Sequence, residues 1–114
     1  MLYPGTAKKL SAYIGEAAMY DGKPLYEALI ESAWTAGCAG ATALRGLGGF
    51  GATSRFHGKR AIRMSQDLPV VVQVVDSEGR IAAVAEMFST MIADALITVE
   101  DVEVVAYRTG SVQE

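Results

Sequence analysis

The segment Leu68-Pro69-Val70-Val71-Val72-Gln73-Val74-Val75 restricts the folding options of this chain more than any other. Valine is stiff at χ1, crowds a helix and packs well on a pleated surface, so five valines in eight residues dictate a strand. The proline stands at the start, where it blocks no interior ladder bond. Immediately downstream Asp76-Ser77 can cap a helix. Ile81, Val84, Ala85, Phe88, Met91, Ile92 and Ala95 then recur at the spacing of one helical face. A last strand is expected at Val102 to Tyr107, followed by a polar tail over 108–114.

The first half repeats this order. Lys9 to Ile14 alternates as a strand, with Leu10, Ala12 and Ile14 on one side. Asp21-Gly22-Lys23-Pro24 reads as a helix start, because proline is tolerated in a first turn. Leu25, Leu29 and Ala33 follow every four residues, flanked by Tyr26, Ile30 and Trp34. Glu27 and Glu31 mark the wet face and Gly37 a C-terminal stop. Ala41 to Leu44 is the next strand. The result is β-α-β, a long loop, then β-α-β, within 114 residues. That order predicts one α+β domain over 1–114 with the ferredoxin-like βαββαβ arrangement: a four-stranded antiparallel sheet carrying two helices on one face. Right-handed crossovers favour it over other weaves.

With 51% apolar and 20% charged residues the chain can fill one core and is not disordered. No apolar run approaches the roughly 18 residues of a membrane span, so direct membrane insertion is not expected. Met1-Leu2-Tyr3-Pro4-Gly5 lacks a basic segment leading into an apolar one, which predicts a cytoplasmic protein without a secretory signal. A lone cysteine, Cys38, offers neither an internal disulfide nor a metal cluster, and reads as a small buried residue. If Val70, Val72 and Val74 face the helices, Val71 and Val75 point the other way, joined by Tyr13, Val105 and Tyr107. An apolar open face of that kind predicts a homo-oligomer.

Charge is distributed unevenly. No acid occurs from Ser32 to Gln66, a window holding Arg45, Arg55, Lys59, Arg60, Arg63 and the only histidine, His57. The remainder carries the other five basic residues and all thirteen acids, and seven of the twelve glycines fall inside the window. From Arg45 to about Gln66 neither helical nor strand period holds, so a long mobile loop is expected over 46–63. Glycines let backbone N–H groups curl around an anion, and arginine adds charge-assisted hydrogen bonds. The candidate anion-binding residues are therefore Arg45, Gly46, Gly48, Gly49, Arg55 and His57, with Lys23 and Arg108 as further contacts. Gly46-Leu47-Gly48-Gly49-Phe50-Gly51 formally fits a dinucleotide fingerprint, but no helical period follows it, as that site requires. A metal or general-base role for His57 lacks a second histidine or a nearby carboxylate, and no catalytic residue is assigned. Two other readings stay open at this level: an RNA-binding ferredoxin-like module, although Ala41 to Leu44 and Val70 to Val75 offer no aromatics for base stacking, and a small enzyme acting on a phosphorylated metabolite through Arg45 and His57.

Several segments in fixed order carry a family likeness. Tyr13-Ile14-Gly15-Glu16, Gly22-Lys23-Pro24-Leu25-Tyr26-Glu27, Gly40-Ala41-Thr42 with Arg45-Gly46 and Gly49-Phe50-Gly51, Leu68-Pro69, and Val99-Glu100-Asp101-Val102-Glu103-Val104 resemble domain-of-unknown-function family 190 of the PII-like superfamily. The likeness spans about residues 8–107. It implies a single PII-like domain, a homotrimer with its sheets facing inward, and a T-loop-like segment at 46–63 that contacts a partner protein, such as a membrane transporter or an enzyme. It also implies an adenine nucleotide effector (AMP, ADP or ATP) in clefts between subunits, with no required cofactor and no nucleic-acid partner. Arg45, Gly46 and Gly48 match the Lys-Gly-x-Gly stretch at the T-loop base of PII proteins. The second glycine- and lysine-containing phosphate loop of those proteins has no counterpart in 93–100, which makes a mono- or diphosphate as plausible a ligand as ATP. The 46–63 segment has no tyrosine, so the tyrosine modification of some PII proteins does not carry over.

Overall fold

The computed structural model of the chain describes residues 2–50, 68–94 and 96–110. Arg55, His57, the rest of the 46–63 segment from residue 51 onward, Ala95 and the last four residues of the tail lie outside these. Strands β1 (Gly5–Gly15), β4 (Ala41–Arg45), β5 (Pro69–Asp76) and β6 (Leu96–Val104) form one antiparallel sheet in the order β4-β5-β1-β6. Helices α1 (Leu25–Thr35) and α2 (Glu78–Met91) cover one face of it. This is the expected ferredoxin-like arrangement.

The core follows from the two periods. Leu10, Ala12 and Ile14 of β1 and Val70, Val72 and Val74 of β5 meet Leu25, Leu29 and Ala33 of α1 and Ile81, Val84 and Phe88 of α2. Each fully buried Leu, Ile, Val or Phe side chain contributes about 1.5–3 kcal/mol relative to exposure. Gly37 takes φ +83° and ends α1 in a Schellman motif: its N–H donates to the Trp34 carbonyl (3.0 Å) and that of Cys38 to the Ala33 carbonyl (3.1 Å). Ser77 caps α2, its Oγ accepting from the Arg80 N–H at 3.3 Å.

Three sequence expectations need correction. Asp21 (φ 51°) and Gly22 (φ 84°) form the tight turn of a small hairpin, β2 (Met19–Tyr20) with β3 (Lys23–Pro24), rather than a helix start. Asp-Gly readily adopts the two positive φ values such a turn needs. Pro24 consequently sits one residue before α1. Second, α2 ends at Met91, and Ile92 is extended (φ −109°, ψ 119°) while remaining buried. Past Met91 the apolar spacing reports burial, not helix. Third, the last strand occupies Leu96–Val104 instead of Val102 to Tyr107. Its partner decides this: β1 pairs from Tyr13↔Leu96 to Gly5↔Val104, and Pro4 beyond has no N–H with which to continue the ladder.

Rows across the sheet fix the composition of the open face. Leu44, Val71, Tyr13 and Leu96 stand side by side in register, making an apolar band across all four strands. Leu44, Tyr13 and Leu96 are exposed in the protomer. Next to it runs a row of small or neutral polar side chains, Thr42, Gln73, Ser11 and Thr98. Toward the far end, Tyr107, Leu2, Lys9 and Val75 share a shallow depression of about 420 Å³.

Candidate functional site

Three strand ends meet at one corner of the sheet. The Glu16 N–H, just past β1, donates to the Leu68 carbonyl at 2.8 Å, and the Gly46 N–H, just past β4, donates to the Pro69 carbonyl at 2.7 Å. Arg45 is opposite Val70 in the ladder, and Val70 is opposite Ile14. Arg45 therefore lies on the helix side of the sheet, while its neighbour Leu44 belongs to the open face. Two glycines are required here for different reasons. A Cβ at Gly46 would come within 2.9 Å of Pro69 Cγ and 3.4 Å of the Pro69 carbonyl oxygen. Gly49 has φ +135°, which side-chain-bearing residues rarely adopt.

A cleft of about 330 Å³ opens at this corner, lined by Glu16, Tyr26, Ala43, Leu44, Arg45 and Val70. Tyr26 supplies a half-buried ring from the first turn of α1. Arg45 Nη1 donates to Glu16 Oε2 at 2.8 Å, both side chains remaining in contact with solvent. The guanidinium is thus held from a strand end and already faces a carboxylate. Neither Glu16 nor Tyr26 was among the candidate anion-binding residues, although both stand in segments that carry the family likeness. The pairing of Glu16 with a residue 29 positions away depends on strand register, and no local pattern announces it.

The other candidates separate. Gly46, Gly48 and Gly49 stay beside Arg45 at the loop base, whereas Arg55 and His57 lie outside the described residues. Lys23 Nζ donates to Glu31 Oε1 at 2.7 Å, and this hydrogen bond, with the carboxylate charge, raises its pKa above the usual lysine value. It lines a different cleft, with Tyr20, Ser32, Met87 and Met91. Arg108 is exposed, beyond β6. The adjoining Tyr107 lies near Gly40 and Ala41 at the start of β4, the end opposite Arg45. One protomer therefore does not gather Lys23, Arg45 and Arg108 into a single site.

The remaining chemistry is structural. Cys38 is half-buried, and burial followed by the charge of Asp76 pushes its thiol pKa up, against a smaller lowering from Arg80. A raised pKa leaves less thiolate, in keeping with a packing role. Trp34, next to the buried stripe of α1, is 83% exposed in the protomer. Among the described residues no group of three or more His, Cys, Asp or Glu is placed to hold a metal ion, and no helix is long and apolar enough to cross a membrane. The two central strands of the sheet are β5 and β1, and β1 does put one aromatic, Tyr13, on the open face, set among aliphatic side chains.

Sheet order, helix placement and the corner joining β1, β4 and β5 define a ferredoxin-like protomer with the PII fold. The chain belongs to the family DUF190, described as "Uncharacterized ACR, COG1993", whose model matches residues 7–104. A UPF0166 protein of Aquifex aeolicus (strain VF5) is 36% identical over 98 residues, covering 86% of this chain and 92% of the relative. Among solved structures, CPII of Thiomonas intermedia K12 bound to ADP and bicarbonate aligns with a TM-score of 0.61 at 18% identity, over 93% of this chain and 95% of that one. The same protein bound to ADP, AMP and acetate aligns with a TM-score of 0.59 at 17% identity, over 92% and 94%. CPII is a nitrogen regulatory PII-like protein. At such identities the likeness carries the fold.

Proposed function

We propose that this protein is a trimeric PII-like regulator rather than an enzyme. It binds an adenine nucleotide in the Arg45 cleft, completed by a neighbouring subunit, and engages a partner protein through the 46–63 segment. The observation that carries this reading is the placement of Arg45. A guanidinium anchored at a strand end, beside the glycines of the loop base and a tyrosine ring from α1, suits a phosphate attached to a flat base. The apolar band Leu44–Val71–Tyr13–Leu96 supports assembly through the open face, because such a band is better covered by further copies than left in water. CPII, which shares the fold, holds ADP and AMP. A cytoplasmic location and a transporter or enzyme as partner belong to this same reading. Regulation follows if ligand and partner favour one conformation of the loop, so that each raises the affinity of the other.

Calorimetric titration of the purified protein with AMP, ADP and ATP tests the nucleotide part directly. Binding of at least one is expected, with Arg45→Ala weakening it by about 1.5–3 kcal/mol, the worth of a hydrogen bond to a charged group. Absence of heat with all three removes the nucleotide. Unchanged affinity in a folded Arg45→Ala variant moves the site elsewhere.

A further inference from the structure

The Arg45 cleft carries its own anion. Glu16 reaches Arg45 from the end of β1, and its backbone is fixed by the 2.8 Å bond to the Leu68 carbonyl while that of Arg45 is fixed in the β4–β5 ladder. Both side chains line the same cleft. We propose that Glu16 is a tethered competitor for Arg45, which sets the strength an anion must exceed and so leaves this site to doubly charged phosphate monoesters at concentrations where singly charged carboxylates, bicarbonate included, do not bind. The inference rests on the anion-binding reading above and adds the class of anion.

Selection follows from exchange. A ligand anion that takes Arg45 Nη1 must displace the Glu16 carboxylate or share the guanidinium with it. A free monocarboxylate offers the guanidinium what Glu16 already offers, without the advantage of being tethered; even a short flexible tether gives an effective concentration of about millimolar. Acetate or bicarbonate below that level cannot compete. A phosphate monoester carries about −1.5 to −2 charge and three acceptor oxygens, so it replaces one charge by nearly two and can bond the guanidinium through two oxygens at once. The partial exposure of the ion pair keeps displacement feasible, since solvent-exposed pairs contribute little to stability. Once released, Glu16 remains in the cleft as a carboxylate able to accept hydrogen bonds from hydroxyl or amino groups next to the phosphate.

The test is calorimetric titration of methyl phosphate and, separately, acetate into wild type, Glu16→Gln, Arg45→Ala and the double variant at about pH 7.5, where the monoester is mostly dianionic. Glutamine keeps the size of the side chain and removes its charge. Glu16→Gln is expected to bind methyl phosphate about three- to tenfold more tightly, from loss of the competing pair and of charge repulsion. Acetate binding should become measurable only in that variant, and both gains should vanish when Arg45→Ala is added. In the wild type, the Arg45 Nε–H and the Glu16 side-chain carboxyl resonances should both move as methyl phosphate is added, which keeps the test valid should Glu16→Gln fold poorly. The proposal is overturned if Glu16→Gln leaves the affinities for methyl phosphate and acetate unchanged, if the gain survives loss of Arg45, if no variant binds methyl phosphate, or if the Glu16 resonance stays still at saturation. Adenine nucleotide binding that depends on Arg45 but not on Glu16 would remove the exchange and leave the nucleotide reading intact. Methyl phosphate following the expected pattern while no nucleotide binds would do the reverse.

Discussion

Replacing Asp76 measures how firmly the first helix is fastened to the rest of the fold. Asp76 ends β5 and is 3% exposed. Its Oδ2 accepts from the Ala39 N–H at 2.8 Å and its Oδ1 from the Ser77 N–H at 2.7 Å, with Arg80 Nε at 3.6 Å. Arg80 in turn donates to the Ala36 carbonyl at the end of α1. One buried carboxylate thus ties the segment after α1 to the start of α2. Asp76→Ala leaves a half-buried N–H at Ala39 without its acceptor and an arginine without its carboxylate. Each hydrogen bond to a charged group is worth about 1.5–3 kcal/mol, and the 3.6 Å contact with the partly exposed Arg80 adds little to that. A loss of about 3–4 kcal/mol is expected, a large share of the roughly 5–15 kcal/mol available to a domain. Asp76→Asn keeps one acceptor and should lose about half of that. Urea denaturation at one fixed protein concentration reads the effect as a lower midpoint with an unchanged slope; at a slope of about 2 kcal/mol per molar, Asp76→Ala shifts the midpoint by roughly 1.5–2 M. A shift below about 0.5 M would refute the idea that this carboxylate fastens α1.

Three other perturbations follow from the same structure. Gly46→Ala forces a methyl group against the Pro69 ring, and should destabilise by about 1–3 kcal/mol while weakening phosphate binding at Arg45; equal stability and affinity would mean that the corner relaxes freely. Val71→Asp puts a charge in the centre of the apolar band, and sedimentation should then show monomers where the proposed assembly gives trimers for the wild type, with the far-UV spectrum retained. Cys38, whose thiol is pushed up mainly by burial, should react with iodoacetamide at pH 8 more slowly than a free cysteine, its rate still climbing at higher pH as thiolate forms. A rate equal to that of free thiol would show that burial does not control it.

The helical faces were legible because burial and period coincide in them: Leu25, Leu29 and Ala33, and Ile81, Val84 and Phe88, are buried as their spacing requires. So were the glycine stop at Gly37 and the Ser77 cap, which act through bonds to residues a few positions away. The last strand was not. It is an edge strand whose exposed and half-buried positions follow no clean alternation, and its limits are set by pairing with β1, some ninety residues earlier. The Asp21-Gly22 hairpin was masked by the proline next to it, which is equally at home before a helix. Arg45 and Gly46 stood out through a deficit of acids, a property of composition. Glu16 showed only as part of a family segment; its pairing with Arg45 could not be read, because only the β1–β5–β4 register brings the two together.

That register also relates the two halves of the functional reading. Successive side chains on a strand point to opposite faces. Leu44 therefore joins Val71, Tyr13 and Leu96 on the open face, while Arg45, one residue on, turns to the helix side and meets Glu16. The proposed assembly surface and the proposed anion site are adjacent positions on a five-residue strand. Gly46 then fixes where the strand stops, since its N–H is bonded to Pro69 and its Cα has no room for a side chain. A strand this short, at a sheet edge, has little independent rigidity, so covering Leu44 with a neighbouring subunit would restrain the backbone that aims Arg45. Anion affinity should accordingly depend on the oligomer even if no residue of a second subunit touches the ligand. The Val71→Asp monomer separates these contributions: affinity restored at protein concentrations that restore assembly places the coupling in the shared strand and its neighbour, whereas affinity indifferent to assembly confines the site to one protomer.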